Sequence, residues 1–129
     1  MLTEIRPPQS KTRTVLVVDD QPMTLALTAR MLRSLGYTVI TTDVPMSALA
    51  LAQGGDQIDC VLTDLTMPDM SGVDLAQQLR EVAPSLPVVF MSGYPEDISE
   101  SLGAARGAIH LDKPFTMAAL HTAVSRAIG

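Results

Sequence analysis

Short apolar runs alternate with stretches of helical spacing along most of this chain. The runs cover residues 14–18, 37–40, 58–62, 87–91 and 108–111, and their length is that of β-strands. Three of the runs are almost continuously hydrophobic, which is typical of central strands in a parallel sheet that is covered on both faces. The alternation predicts an α/β fold with a doubly wound sheet of five parallel strands.

Apolar residues three or four positions apart lie on one face of a helix, and the chain contains two such stripes. The stripe of the first predicted helix consists of Met23, Leu27, Met31 and Leu35. The stripe of the last predicted helix consists of Met117, Leu120, Val124 and Ile128. Both stripes are predicted to pack against the sheet.

Prolines, glycines and one threonine indicate where these helices begin and end. Pro22 and Pro45 suit the first turn of a helix, where the N–H that proline lacks would have no partner within the helix. Gly36 and Gly54 suit helix ends, and Thr116 suits the N-cap of the last helix.

Two further helices complete the predicted fold, which is a three-layer sandwich with five helices. One is predicted over residues 72–82, and a short one within residues 95–107, where glycines interrupt the helical spacing. The length of 129 residues is typical of one domain, and residues 14–129 are predicted to form it. Residues 1–13 contain two prolines and no hydrophobic periodicity, which predicts a flexible lead-in or interdomain linker.

Composition narrows the classes of function. A net charge of -5 and a pI near 4.7 disfavour direct binding of nucleic acid, which requires clustered Lys and Arg. The apolar runs are too short to span a membrane, and residues 1–13 lack the apolar centre of a secretory signal. The single cysteine, Cys60, lies among apolar neighbours and is predicted to be a buried, inert thiol. We therefore expect a cytoplasmic protein that contacts neither nucleic acid nor membrane.

Polar side chains follow four of the predicted strands at the point where each run ends. These residues are Asp19, Asp20, Asp64, Ser92 and Lys113. Because the carboxyl ends of parallel strands meet at one edge of the sheet, the five side chains are predicted to lie together there. Three neighbouring carboxylates repel one another unless a cation lies among them, and ligation by oxygen alone favours Mg²⁺ or Mn²⁺.

Such a group of side chains suits the formation of an aspartyl phosphate. One carboxylate acts as the nucleophile, the metal offsets charge on the transferring group, and Lys113 pairs with a phosphoryl oxygen. Ser92 donates a further hydrogen bond. Asp64 is the predicted nucleophile because it ends the middle run, between the Asp19–Asp20 pair and Lys113.

Four motifs, in this order along the chain, resemble the receiver domain of two-component response regulators. They are Val15-Leu-Val-Val-Asp-Asp20, Leu62-Thr-Asp-Leu-Thr-Met-Pro-Asp-Met-Ser-Gly72, Phe90-Met-Ser-Gly93 and Leu111-Asp-Lys-Pro-Phe115. The resemblance covers residues 14–129, and the amino-acid sequences of the last two motifs are most similar to those in receivers of hybrid sensor histidine kinases. It implies the flavodoxin-like (CheY-like) fold.

The resemblance also implies a function in signalling. Asp64 would take a phosphoryl group from a phosphohistidine of a histidine kinase or histidine phosphotransfer protein. The domain would catalyse its own phosphorylation and dephosphorylation and change its partner-binding surface, as a switch rather than a metabolic enzyme. Its partners would further include an output protein or a covalently linked kinase domain, and a weak homodimer is compatible with the family.

By the same resemblance, the residues of the predicted site take separate roles. Asp20, Asp64 and the backbone carbonyl of Thr66 would ligate Mg²⁺ directly, and Asp19 would act mainly through a bound water. Thr66 and Tyr94 would flank the path of attacking water and tune the lifetime of the phosphoryl group.

The lysine loop and the switch are also assigned by the resemblance. The Lys113–Pro114 bond is usually cis in the family, which would aim Lys113 into the site, and Phe115 would seat this loop by packing. Ser92 would move toward the phosphoryl group while an aromatic side chain swings inward, but this chain has His110 at the aromatic position. Imidazoles titrate near neutral pH, so we hypothesise a weaker or pH-dependent switch.

Three rival classes fit the residues less well. A phosphatase of the haloacid-dehalogenase type requires a second Asp two residues after the nucleophile, where this chain has Thr66. A flavin carrier of similar fold requires a phosphate loop after the first strand, where Asp19 and Asp20 would repel phosphate. A degenerate receiver that serves only as a docking module would lack an acid or the lysine, and here none is missing. A stand-alone regulator and a fragment of a hybrid kinase look alike in sequence.

Overall fold

A computed structural model of the chain describes residues 12–55, 57–93 and 109–129. Three sequence predictions lie outside these residues. They concern the helix within residues 95–107, the side chain of Tyr94, and all but the last two residues of the lead-in over 1–13.

Five strands form one parallel sheet in the order β2-β1-β3-β4-β5. Their bounds are Thr14–Val18 (β1), Thr38–Thr42 (β2), Cys60–Asp64 (β3), Val88–Ser92 (β4) and Ile109–Asp112 (β5). The three central strands β1, β3 and β4 are the most apolar ones, because both of their faces are covered. The prediction of five parallel strands is confirmed.

The last four strands begin and end one or two residues later than the apolar runs that predict them. β3 continues into Asp64, which pairs with Met91, and β4 continues into Ser92, which pairs with Asp112. Hydrophobicity indicates which side chains are buried, whereas the strand is defined by backbone pairing, to which a polar residue contributes equally. Asp64 and Ser92 are therefore the last residues of their strands and not the first residues of loops.

The described residues contain four helices, and none of them is long and apolar enough to cross a membrane. They are Pro22–Ser34 (α1), Pro45–Gln53 (α2), Gly72–Val82 (α3) and Met117–Ile128 (α4). Thr116 caps α4 as predicted, since its hydroxyl accepts a hydrogen bond from the Ala119 N–H at 3.0 Å. The predicted number of five helices depends on a segment outside the described residues.

Two hydrophobic clusters cover the two faces of the sheet. One joins the sheet to α1 and α4 and includes Val15, Val17, Leu32, Leu62 and Leu120. The other joins it to α2 and α3 and includes Leu16, Val18, Ala48, Val61 and Leu75. Successive residues of β1 and β3 thus point to opposite clusters, which gives the predicted three layers.

The predicted packing stripe of α1 is wrong in its first half. Met23 is 86% exposed and Leu27 is 58% exposed, whereas Thr28, Ala29 and Leu32 are buried against the sheet. Residues four apart advance by about 40° beyond a full turn, so a stripe of strict four-residue spacing drifts around the helix. The small side chains of Thr28 and Ala29 instead allow the helix to approach the sheet closely.

The predicted core positions in α4 and at Cys60 agree better with the observed burial. In α4, Leu120 and Val124 are fully buried, while Met117 in the first turn is 39% exposed. Cys60 is buried as predicted, and burial, with a further contribution from Asp59, raises the pKa of its thiol to about 12. The thiol therefore stays protonated at neutral pH.

Candidate functional site

The carboxyl edge of the sheet brings together the five side chains that the sequence places there. Asp19 and Asp20 directly follow β1, Asp64 ends β3, Ser92 ends β4, and Lys113 directly follows β5. All of them except the fully buried Asp19 line a pocket of about 520 Å³, called the acidic pocket below. Its lining residues are Asp20, Gln21, Asp64, Thr66, Met67, Pro68, Ser92, Gly93 and Lys113.

Three carboxylates meet at this pocket. Asp19, Asp20 and Asp64 each present an oxygen within 4.8 Å of those of the other two. Asp19 is fully buried and Asp64 is 8% exposed, so water screens their repulsion poorly. A set of oxygen ligands with this much negative charge fits a hard divalent cation such as Mg²⁺.

Lys113 brings a positive charge to two of these carboxylates. Its Nζ lies 3.0 Å from Oδ2 of Asp19 and 3.3 Å from Oδ2 of Asp64. The side chain is only 16% exposed, so the ammonium is held between the ends of β1 and β3. The sequence places Lys113 at this edge, and the structure adds that one ammonium contacts acids from two different strands.

The segment after Lys113 has the backbone form that the family resemblance implies. The Lys113–Pro114 peptide bond is cis. Phe115 packs against the cluster beneath α1 and α4. The Lys113 N–H donates to the carbonyl of Ser92 at 2.9 Å, which extends the pairing of β4 and β5 up to the pocket.

The electrostatic environment of Asp64 opposes its ionisation. Burial raises the pKa of the Asp64 carboxyl above its ordinary value, Lys113 acts in the opposite direction, and Asp19 adds to the rise. A divalent cation beside the carboxylate would favour its charged form. The site therefore suits a reaction in which a cation and the ionised Asp64 are present together.

Asp19 has partners on both of its carboxylate oxygens. Oδ2 accepts from Lys113, and Oδ1 accepts the backbone N–H of Gln21 at 3.0 Å. This fully buried residue therefore connects the start of α1 to the end of β5.

Gly72 allows α3 to begin directly against the backbone of Asp64. A Cβ at residue 72 would overlap the carbonyl oxygen of Asp64 and lie 3.1 Å from the Cα of Leu65. The Gly72 N–H donates to the Leu65 carbonyl at 2.8 Å and fixes this approach. The sequence indicates only a helix start here, and the supporting role of Gly72 becomes visible in the structure.

Thr66 lies at the pocket, two residues after Asp64. It is exposed, and its N–H makes a long hydrogen bond of 3.5 Å to Oδ1 of Asp64. Tyr94, the other residue assigned to the phosphoryl lifetime, lies outside the described residues.

His110 lies on the edge strand β5 and does not line the acidic pocket. It is paired in register with Phe90, and its side chain is 16% exposed. Nε2 lies 3.5 Å from Oδ1 of Asp112, but it has no hydrogen-bond partner among the described residues. Asp112 is in turn the register partner of Ser92, which connects His110 to the pocket through one neighbour.

Four lining residues are missed by the sequence reasoning. They are Gln21, Met67, Pro68 and Gly93. Gln21 and Gly93 directly follow strand-end residues already assigned to the site. The rule that ligands gather beyond the carboxyl ends of parallel strands could have found both of them.

Comparison with known proteins gives a consistent result. The family model described as response regulator receiver domain matches residues 15–125. The sensor kinase CckA of Brucella abortus is 36% identical over 117 residues, which are 89% of this chain and 12% of the kinase. The cell cycle transcriptional regulator CtrA of Caulobacter vibrioides is 34% identical over 120 residues, which are 89% of this chain and 52% of the regulator. The chain thus spans between about an eighth and about a half of the length of these relatives.

Solved structures agree with this assignment along nearly the whole chain. A response regulator receiver protein from Sinorhizobium medicae has a TM-score of 0.81 at 30% identity, covering 93% of this chain and 97% of that one. The chemotaxis protein CheY4 of Vibrio cholerae has a TM-score of 0.79 at 27% identity, covering 90% and 98%. With the motifs, the sheet order and the family model in agreement, the chain belongs to the response regulator receiver domain family.

Proposed function

We propose that this receiver domain accepts a phosphoryl group on Asp64 from a phosphohistidine of a histidine kinase or histidine phosphotransfer protein. The position of Asp64 carries the proposal. The residue ends the central strand β3 at the acidic pocket, with its side chain 11% exposed and its Oδ2 3.3 Å from Lys113 Nζ. It is thus reachable from solvent while the acids of β1 and the lysine after β5 surround it.

The transfer step exchanges one bond to phosphorus for another. A carboxylate oxygen of Asp64 forms the new O–P bond while the P–N bond to the donor imidazole breaks. The electron pair of that bond stays on the imidazole nitrogen, which takes a proton from solvent. Dephosphorylation is a separate hydrolysis: a water oxygen forms a bond to phosphorus while the bond between phosphorus and the Asp64 oxygen breaks. The electron pair stays on the Asp64 carboxylate, and inorganic phosphate and a proton leave to solvent.

Receiver domains bind Mg²⁺ at an acidic pocket, and the three carboxylates here fit that ion. When bound, Mg²⁺ offsets the charge of the transferring group. Asp20, Asp64 and the backbone carbonyl of Thr66 would hold it directly. Asp19 would act through a water, a role supported by the hydrogen bonds that both of its oxygens already accept.

Lys113 and Ser92 are the proposed donors to the phosphoryl oxygens. The Lys113 ammonium already lies beside the Asp64 carboxylate, so a group bonded to that carboxylate would come within its reach. Ser92 is 3% exposed at the end of β4 and lines the same pocket. Pro114 and Phe115 would keep the lysine in place.

Residues at the mouth of the pocket are proposed to set the lifetime of the phosphoryl group. Thr66, and by the family resemblance Tyr94, would flank the path of the attacking water. Thr66 is exposed at the pocket, and the long hydrogen bond from its backbone N–H keeps it beside the Asp64 carboxylate; this position supports its half of the assignment. Measured hydrolysis rates of Thr66 and Tyr94 variants test it, and unchanged rates would contradict it.

Phosphorylation is proposed to shift the domain between two populations that differ in their partner-binding surface. Ser92 and His110 are the proposed switch residues. Their support is the pairing of β4 with β5, because Ser92 and Phe90 contact the β5 positions of Asp112 and His110.

The relatives suggest which partners the domain serves. One is named a sensor kinase and another a transcriptional regulator, and both are longer than this chain. We infer either a covalently linked kinase domain or a separate output protein, in the cytoplasm, with a weak homodimer as a further state. The net charge of -5 supports a domain that does not itself contact nucleic acid.

Incubation with acetyl phosphate and Mg²⁺, followed by phosphate-affinity electrophoresis, tests the proposal. The wild-type band is expected to shift, the Asp64→Asn band is expected not to shift, and removal of Mg²⁺ with EDTA is expected to abolish the shift. Asp69→Asn is the matched control, because Asp69 is an exposed acid of the same loop that does not line the pocket. An unshifted wild type, or a shift that persists in Asp64→Asn, would refute the proposal.

A further inference from the structure

Gln21 occupies a position at the acidic pocket to which no role has yet been given. It directly follows the acidic pair and immediately precedes α1. Its backbone N–H donates to Oδ1 of the buried Asp19 at 3.0 Å, so its main chain is fixed relative to the carboxylates. Its side chain belongs to an exposed residue that lines the same pocket as Asp64 and Lys113.

A neighbouring hydroxyl determines which end of the Gln21 side chain is available. The Thr24 hydroxyl donates to Oε1 of Gln21 at 3.2 Å, one helical turn along α1. A carboxamide carries one accepting oxygen and one NH₂ group with two donors. The hydrogen bonds among the described residues use the oxygen and not Nε2. Nε2 of this exposed side chain therefore has no hydrogen-bond partner among the described residues and is available to a ligand in the pocket.

The charges at this pocket suit a neutral donor at Gln21. Three carboxylates and one ammonium sum to -2, and a divalent cation would bring that sum to zero. Phosphorylation converts the Asp64 carboxylate, of charge -1, into an acyl phosphate of charge about -2, so the sum becomes about -1 and the added charge calls for further hydrogen-bond donors. A lysine at residue 21 would repel the metal, and a glutamate would repel the phosphoryl group. An amide supplies donors without either penalty.

We propose that Gln21 is a phosphoryl-binding residue of this site. Its Nε2 donates a hydrogen bond to an oxygen of the group that is transferred to Asp64, and Thr24 positions the amide for this contact. The assignment rests on the proposed function of Asp64. It adds a donor from the start of α1 to those from the ends of β4 and β5.

Binding of beryllofluoride, a tetrahedral phosphoryl mimic, tests the assignment without depending on turnover. Beryllofluoride affinity is measured by calorimetry in the presence of Mg²⁺. Mn²⁺ affinity is measured separately, without beryllofluoride and without Mg²⁺. Gln21→Met keeps the shape of the side chain but removes the donors, so beryllofluoride affinity is expected to fall about five- to tenfold with Mn²⁺ affinity unchanged. Gln21→Glu is expected to lower beryllofluoride affinity further and to raise Mn²⁺ affinity, because it adds a fourth carboxylate.

Thr24→Val separates the positioning role of Thr24 from a role in folding. The change removes the hydroxyl and keeps the volume, and we expect about a twofold loss of beryllofluoride affinity. Combined with Gln21→Met, it is expected to cause no further loss, because both changes act on the same hydrogen bond. A merely structural effect would instead add to that of Gln21→Met.

The outcomes separate this inference from the proposal for Asp64. If the wild type is phosphorylated and Gln21→Met binds beryllofluoride as the wild type does, the role of Gln21 is wrong and that of Asp64 stands. If the wild type neither binds beryllofluoride nor accepts phosphate from acetyl phosphate, both proposals fail. Equal losses of Mn²⁺ and beryllofluoride affinity in Gln21→Met would also overturn the assignment, since they would indicate general damage to the pocket.

Discussion

The two ends of the sheet each carry a cavity, and the larger one is not at the acidic residues. The cavity at the amino end has a volume of about 640 Å³ and is lined by residues such as Arg13, Asp59 and Pro87. The acidic pocket at the carboxyl end has about 520 Å³. The two cavities differ in whether each carboxylate has a nearby cation or hydrogen-bond donor. An excess of carboxylates over such partners indicates a ligand site better than cavity size does.

At the amino end, the partly buried carboxylate of Asp59 has local partners for both of its oxygens. Oδ2 of Asp59 accepts the Thr14 N–H at 2.8 Å, and Oδ1 lies 3.7 Å from Nη1 of Arg13. One carboxylate is thus matched by one backbone donor and one cation, and it ties the start of β1 to the segment before β3. At the carboxyl end, three carboxylates face one ammonium, and the remaining charge calls for a ligand.

The largest expected effect separates the two ends by metal affinity. Asp20→Asn should weaken Mn²⁺ binding by at least about a hundredfold. Loss of a residue that only hydrogen-bonds to a metal ligand commonly lowers metal affinity ten- to a hundredfold, and Asp20 is a proposed ligand itself. Asp59→Asn should leave Mn²⁺ binding unchanged. Calorimetric titration of both variants measures the difference, and equal weakening in the two would break the comparison.

The next effect concerns stability at the amino end. Asp59→Ala should lower the free energy of unfolding by about 2 kcal/mol, because it leaves a partly buried backbone N–H without its acceptor. The Asp59→Ala protein should still be phosphorylated by acetyl phosphate. Urea unfolding gives the stability change, with the exposed Glu81→Ala as a control expected to stay within about 0.5 kcal/mol of the wild type. A loss of phosphorylation in a folded Asp59→Ala protein would show that the amino end contributes to the chemistry.

A smaller effect is a change in stability at Asp64. Its pKa is raised in the folded state, so the folded protein binds a proton that the unfolded chain releases, and stability falls as pH rises through that interval. Asp64→Asn removes this cost. Without divalent metal, the variant should be more stable than the wild type at about pH 7, and the gain should shrink toward about pH 4.

Addition of Mg²⁺ should make the wild type more stable than Asp64→Asn. At a concentration of a hundred times its dissociation constant, a bound ion stabilises the folded wild type by about 2.7 kcal/mol, and Asp64→Asn should receive less of this stabilisation. Urea midpoints at both pH values, with EDTA and with Mg²⁺, measure the two parts. If Asp64→Asn were less stable than the wild type in EDTA at neutral pH, the electrostatic account of this carboxyl would be wrong.

The smallest expected effect tests whether the switch depends on pH. His110 lies 3.5 Å from the Asp112 carboxylate, the charged side chain that faces its Nε2 among the described residues. Protonation of the imidazole would strengthen this contact and resist an inward movement. NMR shifts caused by beryllofluoride should therefore differ between about pH 6 and about pH 8 in the wild type but not in His110→Phe. Identical wild-type shifts at the two pH values would remove the claim.

Much of the fold follows from the sequence because burial leaves a clear pattern. The central strands β1, β3 and β4 are recognisable as continuous apolar runs, and α3 has the predicted bounds of 72–82. The errors occur where apolar residues are not buried. Met23 and Leu27 have the spacing of a core stripe yet face solvent, because the sheet contacts small residues of α1 instead.

The acidic pocket is predicted at the level of which residues meet, but not at the level of their contacts. Strand ends place Asp19, Asp64 and Lys113 at one edge. Which carboxylates Lys113 contacts depends on side-chain conformations that no sequence pattern records. The same holds for Gly72, whose importance depends on the approach of α3 to the backbone of Asp64.

The contact between Lys113 and Asp19 spans 94 positions of the chain. A nascent polypeptide that has emerged only as far as β4 contains every acid of the pocket but not the ammonium that holds two of them. The ion pairs of Lys113 with Asp19 and Asp64 can therefore form only when β5 has joined the sheet.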